Sequence, residues 1–176
     1  MPGAIYVAYL NSFTPGWADL LGEAIAESFS RRTVRRLNAD IDLAPAYAPE
    51  RRQYHATLIL AALLRRLPAP DAKIVGITSV DLFIPVLTFV FGQSQLDGPS
   101  ALVSTYRLGT PFYGLPPDEG LLVERTIKEA VHELGHAFGL VHCGDDRCVM
   151  HASTYVEEVD LKSADFCAAC RDAVWP

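Results

Sequence analysis

The sequence predicts an α+β fold in which a mixed, mostly parallel sheet packs against helices and a small cysteine-rich subdomain ends the chain. Three observations lead to this prediction. Apolar, β-forming segments alternate with amphipathic helical segments, the longest helical segment follows the last strand, and all four cysteines lie near the C-terminus. Alternating strands and helices are typical of parallel sheets with helical crossovers. The predicted order is strand, helix, strand, helix, three strands and helix.

The N-terminal segments supply the first strand and the first helix. Residues 4–10 are rich in β-forming side chains and precede Pro15, so they predict a buried strand. Residues 17–29 predict an amphipathic helix with apolar side chains at helical spacing. These apolar residues are Trp17, Leu20, Leu21, Ala24, Ile25 and Phe29. A short strand around Val34 follows, and the arginines beside it are expected on a solvated face or a strand edge.

The middle of the chain supplies one helix and three strands. The helix is predicted from about Arg51 to Leu67, and Pro68 ends it because proline cannot continue a helix. Its apolar side chains are Leu58, Ala61, Ala62 and Leu64. Strands are then predicted at residues 73–78, 86–91 and 101–106, where β-branched and aromatic side chains are concentrated.

Composition excludes several classes of protein. The 176 residues include 15 Lys or Arg and 21 Asp or Glu, a net charge of −6, and half of them are apolar. This balance is typical of a folded globular protein and argues against disorder. At this length one domain is expected, large enough to bury its own core. The acidic balance argues against a nucleic acid or an anionic membrane as partner, since both bind basic surfaces.

Membrane insertion and secretion are not predicted. No segment supplies the ~20 predominantly apolar residues that a membrane-spanning helix needs. The N-terminus has no basic leader before its apolar stretch, so it does not resemble a secretory signal. We therefore expect a cytoplasmic protein with reduced thiols, and a monomer by default.

The four cysteines predict a metal site. They form a C-x4-C pair and a C-x2-C pair, at Cys143, Cys148, Cys167 and Cys170. In a reducing compartment this spacing favours a bound metal ion over disulfides. Two disulfides, or buried unpaired thiols, are the alternatives.

The stretch from His132 to His142 carries the strongest chemical signal. It lies at the end of a helix predicted for residues 121–138, which the carboxylate of Asp118 or Glu119 can start. Side chains four residues apart project from the same face of a helix, so His132 and His136 can share one metal ion. Gly139 can end the helix in a left-handed conformation and let His142 return beneath the metal. Three imidazoles with an open fourth position are typical of catalytic zinc.

Glu133 is the candidate general base. It directly follows His132, which is too close in sequence for both side chains to ligate the same ion well. Its carboxylate can reach a water on the metal instead and accept the proton of that water. The constellation therefore predicts hydrolysis by an activated water.

The histidine motif followed by Met150 resembles the metzincin pattern, in which the methionine lies in a turn under the metal without ligating it. The interleaving of this motif with the four cysteines resembles, more narrowly, the archaemetzincins, a family of zinc metallopeptidases. Residues 75–83 and 89–92 also resemble that family.

The resemblance implies a metzincin-like, zincin-like fold and a peptidase with two zinc ions per chain, one catalytic and one structural. His132, His136 and His142 match the ligands of the catalytic zinc, and Glu133 matches the general base. The residues that match the structural site are Cys143, Cys148, Cys167 and Cys170. The partner would be a peptide or protein substrate.

We accordingly expect residues 1–176 to form a single metallopeptidase domain. Residues 1–139 would be its sheet-and-helix upper subdomain, and residues 140–176 a lower subdomain with the methionine turn and the four-cysteine zinc site. The substrate is expected to lie extended along a sheet edge, for which residues 88–93 are the candidate. Two alternatives remain: a non-catalytic zinc-stabilised module that binds peptides, and a zinc hydrolase for a non-peptide amide. Glu133 argues against the first, since a pure binder needs no base.

Overall fold

The computed structural model describes residues 3–175, so the first two residues and the last residue of the predicted domain lie outside it. The strands are β1 (Ile5–Tyr9), β2 (Val34–Leu37), β3 (Tyr47–Ala48), β4 (Gln53–His55), β5 (Lys73–Thr78), β6 (Leu82–Phe83), β7 (Gly92–Ser94) and β8 (Ser100–Ser104). The α-helices are α1 (Ala18–Ser28), α2 (Ala56–Leu64), α3 (Glu119–Ala137), α4 (Val156–Leu161) and α5 (Ala168–Val174).

The main sheet has five strands in the order β2-β1-β5-β8-β7. The first four run parallel to one another, and β7 pairs antiparallel to β8 at the edge. A second, three-stranded sheet joins β3, β4 and β6. The predicted α+β class, with a mixed and mostly parallel main sheet, is confirmed.

Helices cover both faces of the main sheet because successive side chains of a strand point to opposite sides. In β5, Ile74 packs with α2 on one face, whereas Val75 and Ile77 pack with α1 and α3 on the other. These three side chains are fully buried. The face that α3 covers is the one that supports the histidine motif.

The C-terminal segment packs into the same hydrophobic core as α3. Val149, Met150 and Val159 are fully buried and belong to the same apolar cluster as α1 and α3, and Phe166 lies against Phe29 of that cluster. The backbone after the histidine motif is therefore attached to the helix that carries the motif.

Two predicted elements differ from the structure. The helix predicted for residues 51–67 is shorter, because Gln53–His55 pair with Leu82–Phe83 as strands before α2 begins. The strand predicted for residues 86–91 is wrong: this segment turns after Pro85 and contributes only an isolated bridge between Val90 and Leu82. Side chains from elsewhere in the chain bind its carbonyl groups, and the edge strand begins after it.

Within residues 3–175, no helix combines the length and the apolar character that crossing a bilayer requires.

Candidate active site

Helix α3 begins and ends at residues that the sequence identifies. The Asp118 carboxylate accepts a hydrogen bond from the Leu121 N–H at 2.9 Å, which caps the N-terminus. At the other end Gly139 adopts a φ of +93°. The Leu140 N–H then bonds to the Gly135 carbonyl at 3.0 Å, and the Gly139 N–H to the His136 carbonyl at 2.9 Å. This pair of bonds is a Schellman motif, which turns the chain back towards the helix.

The turn at Gly139 brings the three predicted histidines together. The ring centroids of His132 and His136 lie 4.6 Å apart, and the His142 ring lies 5.3 Å and 4.8 Å from them respectively. One ring nitrogen from each histidine lies within 4.8 Å of the other two. Three nitrogens at this spacing could hold one metal ion.

Hydrogen bonds to backbone carbonyl groups orient two of these rings. Nδ1 of His132 lies 2.8 Å from the carbonyl oxygen of Val149, and Nδ1 of His136 lies 2.7 Å from that of Leu140. A carbonyl oxygen only accepts, so each Nδ1 carries the proton and each Nε2 of the neutral ring keeps its lone pair. The two Nε2 atoms face each other at 3.1 Å. Two lone pairs so close repel unless a cation lies between them, and the arrangement therefore fits a metal ion.

The surroundings of the histidines favour the neutral form that binds metals, most strongly at the buried His132. Desolvation lowers the pKa of His132 well below its usual value, and it also lowers the pKa values of His136 and His142. The positive charge of Lys162 acts in the same direction on all three. Neutral imidazoles bind a cation without first losing a proton.

The Glu133 carboxylate lies beside the histidines in a buried environment. Burial, together with the negative charge of Glu129, raises the pKa of Glu133 to about 8, although a hydrogen bond with Ser94 acts in the opposite direction. A carboxylate with a high proton affinity can accept a proton near neutral pH. The environment of Glu133 therefore suits a general base.

Gly92 allows the edge strand to approach Glu133. A Cβ atom at Gly92 would lie 2.7 Å from Cγ of Glu133 and 2.7 Å from the carbonyl oxygen of Leu102. Both distances are shorter than ordinary van der Waals contact, and the Leu102 oxygen belongs to the backbone of the paired strand.

Gly92→Ala should therefore displace β7 from α3. Overpacking of this kind costs about 1–3 kcal/mol, which we expect as a lower free energy of unfolding in denaturant titrations. Gly16→Ala is the matched control, since a Cβ atom there meets nothing within 4 Å. Equal unfolding free energies for the two variants would contradict this description of the contact.

Met150 packs against the helix that carries the histidine motif, next to Gly135. Its side chain is fully buried, and a methyl group at Gly135 would overlap its sulfur atom. Its carbonyl accepts a hydrogen bond from the Cys143 N–H at 2.9 Å. The turn that contains Met150 thus connects α3 to the residue that follows His142.

The four cysteine sulfurs form a second cluster. They lie within 4.8 Å of one another, and all four thiols are free. The Sγ atoms of Cys143 and Cys167 are 3.8 Å apart, far beyond the ~2.05 Å of a disulfide. The Sγ of Cys148 accepts hydrogen bonds from the backbone N–H groups of Met150 and Cys167. The arrangement argues against the two-disulfide alternative and could hold one tetrahedral metal ion.

An ion pair that the sequence did not reveal lies beside the site. The Lys162 side chain is completely buried, and its Nζ lies 2.9 Å from the Glu129 carboxylate, which is 5% exposed. Nζ also donates to the His151 carbonyl at 3.3 Å. Glu129 lies one helical turn before Glu133, so a charge on Lys162 offsets two neighbouring carboxylates. Only the spacing of the two glutamates was visible in the sequence.

Lys162→Met should destabilise the fold by about 3–5 kcal/mol, because it leaves the Glu129 carboxylate buried without a partner. Lys128→Met is the matched control: Lys128 is also buried, but its partner Glu124 is 59% exposed and stays solvated. We expect the control to lose about 1 kcal/mol or less from that ion pair. Chemical denaturation measures both variants, and similar losses would contradict the role assigned to Lys162.

The histidines open onto a cleft of about 620 Å³. Glu129, Glu133 and the three histidines line its base, and the segment before β7 lines one wall. The apolar side chains of that wall are Ile84, Leu87, Phe89, Val90 and Phe91. β7 borders the cleft at the edge of the main sheet.

Comparison with known proteins identifies the family. The model of peptidase family M54 matches residues 50–174, well over half of the chain. The chain belongs to peptidase family M54. The archaemetzincin of Archaeoglobus fulgidus is 40% identical over 172 residues, which cover 97% of this chain and 98% of that protein. The archaemetzincin of Methanocaldococcus jannaschii is 45% identical over 125 residues, covering 71% of this chain and 68% of that protein.

Solved structures of similar proteins share the fold. The crystal structure of archaemetzincin from Methanopyrus kandleri superposes with a TM-score of 0.85 at 36% identity, covering 98% of this chain and 94% of that one. A zinc-dependent peptidase from Methanocorpusculum labreanum gives a TM-score of 0.88 at 30% identity, covering 97% of this chain and all of that one. The predicted archaemetzincin resemblance and metallopeptidase class are confirmed at the level of the M54 family.

Proposed function

We propose that this M54 chain hydrolyses peptide bonds with a zinc ion held by His132, His136 and His142 and with Glu133 as the general base. The observation that carries the proposal is the pair of Nε2 lone pairs facing each other at 3.1 Å beside a buried carboxylate. A zinc ion at this position would polarise the scissile carbonyl and lower the pKa of a water towards ~7.

Glu133 has the position and the proton affinity for the transfers that hydrolysis requires. It accepts a proton from the attacking water and then donates that proton to the leaving amine. Ser94 holds the carboxylate through a hydrogen bond, and Gly92 leaves room for it against the edge strand. The base is thereby oriented from the strand that borders the cleft.

The cysteine cluster would hold a second, structural zinc ion. Residues 140–176 would then be a lower subdomain, whose metal links Cys143 and Cys148 with Cys167 and Cys170. Because Cys143 directly follows His142, this metal would also fix the third histidine. We place this zinc-bound protein in the cytoplasm, where thiols stay reduced.

The substrate would bind as an added strand along β7. The Phe91 carbonyl and the Gln95 N–H bond to β8, so in this antiparallel ladder Gln93 also faces β8. The N–H and C=O groups of Gly92 and Ser94 therefore point away from β8, towards the cleft. Of the predicted edge segment, residues 88–93, only Gly92 and Gln93 belong to the strand.

A peptide library digested with and without a zinc chelator tests the proposal. We expect new peptide termini, identified by mass spectrometry, that the chelator abolishes and added zinc restores. Products that form equally in the chelator would contradict zinc-dependent hydrolysis. Zinc-loaded protein that yields no products would favour a peptide-binding module or a hydrolase for non-peptide amides.

A further inference from the structure

One wall of the cleft is a loop that other parts of the chain hold in place. This rim loop, residues 84–91, has no regular secondary structure apart from the bridge of Val90 to Leu82. Its residues Leu87, Thr88 and Phe89 line the cleft. Irregular surface loops are generally mobile, so a fixed wall needs contacts from outside the loop.

Arg51 binds the backbone of the rim loop from the segment before α2. Its Nη2 donates to the carbonyl oxygens of both Leu87 and Thr88 at 3.0 Å. Its Nε donates to the Gln53 side chain at 3.0 Å, and its guanidinium lies 4.2 Å from the centre of the Phe83 ring. One planar group thus connects the loop, the second sheet and a neighbouring amide.

Gln53 connects the same carbonyl to the carboxylate of Asp81, which is 11% exposed. Its Nε2 donates to the Thr88 carbonyl at 3.0 Å and to Oδ2 of Asp81 at 3.1 Å. Gln53 is 5% exposed, so water does not readily replace these bonds. The Thr88 carbonyl therefore accepts hydrogen bonds from two side chains, those of Arg51 and Gln53, which lie just before β4 and in β4.

Arg107 completes the network from the other side of Asp81. Its Nε and Nη2 each donate to Asp81 at 2.7 Å, a bidentate ion pair of fixed geometry. Its guanidinium lies between two rings, 4.3 Å from the centre of Phe89 and 4.6 Å from that of Phe112. Phe89 lines the cleft, so the position of Arg107 determines where that ring stands.

We propose that Arg51, Gln53, Asp81 and Arg107 form a clamp that holds the rim loop in the conformation that binds the peptide. The inference rests on the proposed function, and it assigns these four residues to substrate positioning. None of them lines the base of the cleft where the histidines and Glu133 lie. The clamp acts through Leu87, Thr88 and Phe89 on peptide affinity, and it leaves the bond-breaking step unchanged.

Arg51→Ala tests the clamp with a quenched fluorescent peptide that the wild-type protein cleaves. We expect KM to rise about tenfold, the equivalent of about 1.4 kcal/mol, while kcat stays within about twofold and zinc content is unchanged. Arg52→Ala is the matched control, since Arg52 is the exposed neighbour with the same charge. Arg51→Lys keeps one donor and should recover part of the loss.

Hydrogen exchange of the backbone amides gives a readout that does not depend on catalysis. In Arg51→Ala, exchange should accelerate about tenfold in residues 84–91 and stay unchanged in α3. Unchanged exchange in the rim loop, or equal losses of kcat and zinc content, would overturn the clamp. If the wild-type protein cleaves no peptide, the proposed function fails, whereas the exchange result still tests whether the clamp fixes the loop.

Discussion

Glu133→Gln should lower kcat by about 10²–10⁴-fold while the protein keeps its zinc. The replacement has nearly the same shape, so it fits the buried position, but an amide cannot accept the proton of the attacking water. Steady-state kinetics on a cleaved peptide measures the loss, and inductively coupled plasma mass spectrometry measures zinc per chain. A variant with wild-type kcat would contradict the assignment of the base.

Glu124→Gln is the matched control for this experiment. Glu124 lies on the same helix, but it is exposed and pairs with Lys128 away from the histidines. We expect its kcat to stay within about twofold of the wild-type value, since surface ion pairs contribute little. An equal loss of activity in both variants would show an effect on the helix and not on proton transfer.

Cys148→Ser should weaken zinc binding at both clusters. Zinc at structural sites contributes an apparent ~10–16 kcal/mol, so the loss of one thiolate should unfold much of the C-terminal segment. The same change should reach the histidines, because Cys148 accepts a bond from Met150 and the adjacent Val149 carbonyl orients His132. Loss of such an outer contact costs about 10–100-fold in metal affinity.

Competition titrations with a zinc chelator measure this coupling. The reverse change, His142→Ala, should remove zinc from the histidine cluster and leave the cysteine cluster at wild-type affinity. Cys148→Ser protein that loses one zinc and binds the other with unchanged affinity would contradict the coupling. The comparison separates the two clusters because only the cysteine change alters the backbone that supports both.

Local sequence spacing predicted α3 and the positions of its two histidines well. The Asp118 cap, the end at Gly139 and the shared face of His132 and His136 depend on residues within a few positions of one another. The Schellman bonds, which join residues three and five positions apart, then turn the chain so that His142 returns towards the helix. These features follow from helix geometry, which the sequence encodes directly.

Segments controlled by tertiary contacts were predicted less well. The β-forming residues 86–91 became a loop because side-chain donors from distant positions bind its carbonyl groups. In α2 the structure buries Ile59 and Leu63, whereas Leu58 is 49% exposed and Leu64 is 40% exposed. A helix with apolar residues around most of its circumference gives no clear periodic signal for its buried face.

The side chains that surround the candidate site also could not be predicted from local sequence spacing. Lys162 meets Glu129 across 33 positions of sequence, and no motif connects the two. Arg51 and Arg107 reach the rim loop from opposite sides in the same way. Residue types and spacing identify groups that share one helix or turn, but the partners that orient them depend on the complete fold.

Anomalous X-ray diffraction at the zinc edge, on crystals of the zinc-loaded protein, tests the central claim most directly. We expect two peaks: one about 2.0–2.1 Å from a nitrogen of each of His132, His136 and His142, and one about 2.3 Å from the four cysteine sulfurs. A zinc-loaded crystal with no peak among the histidines, or with their nitrogens turned away from it, would contradict the account.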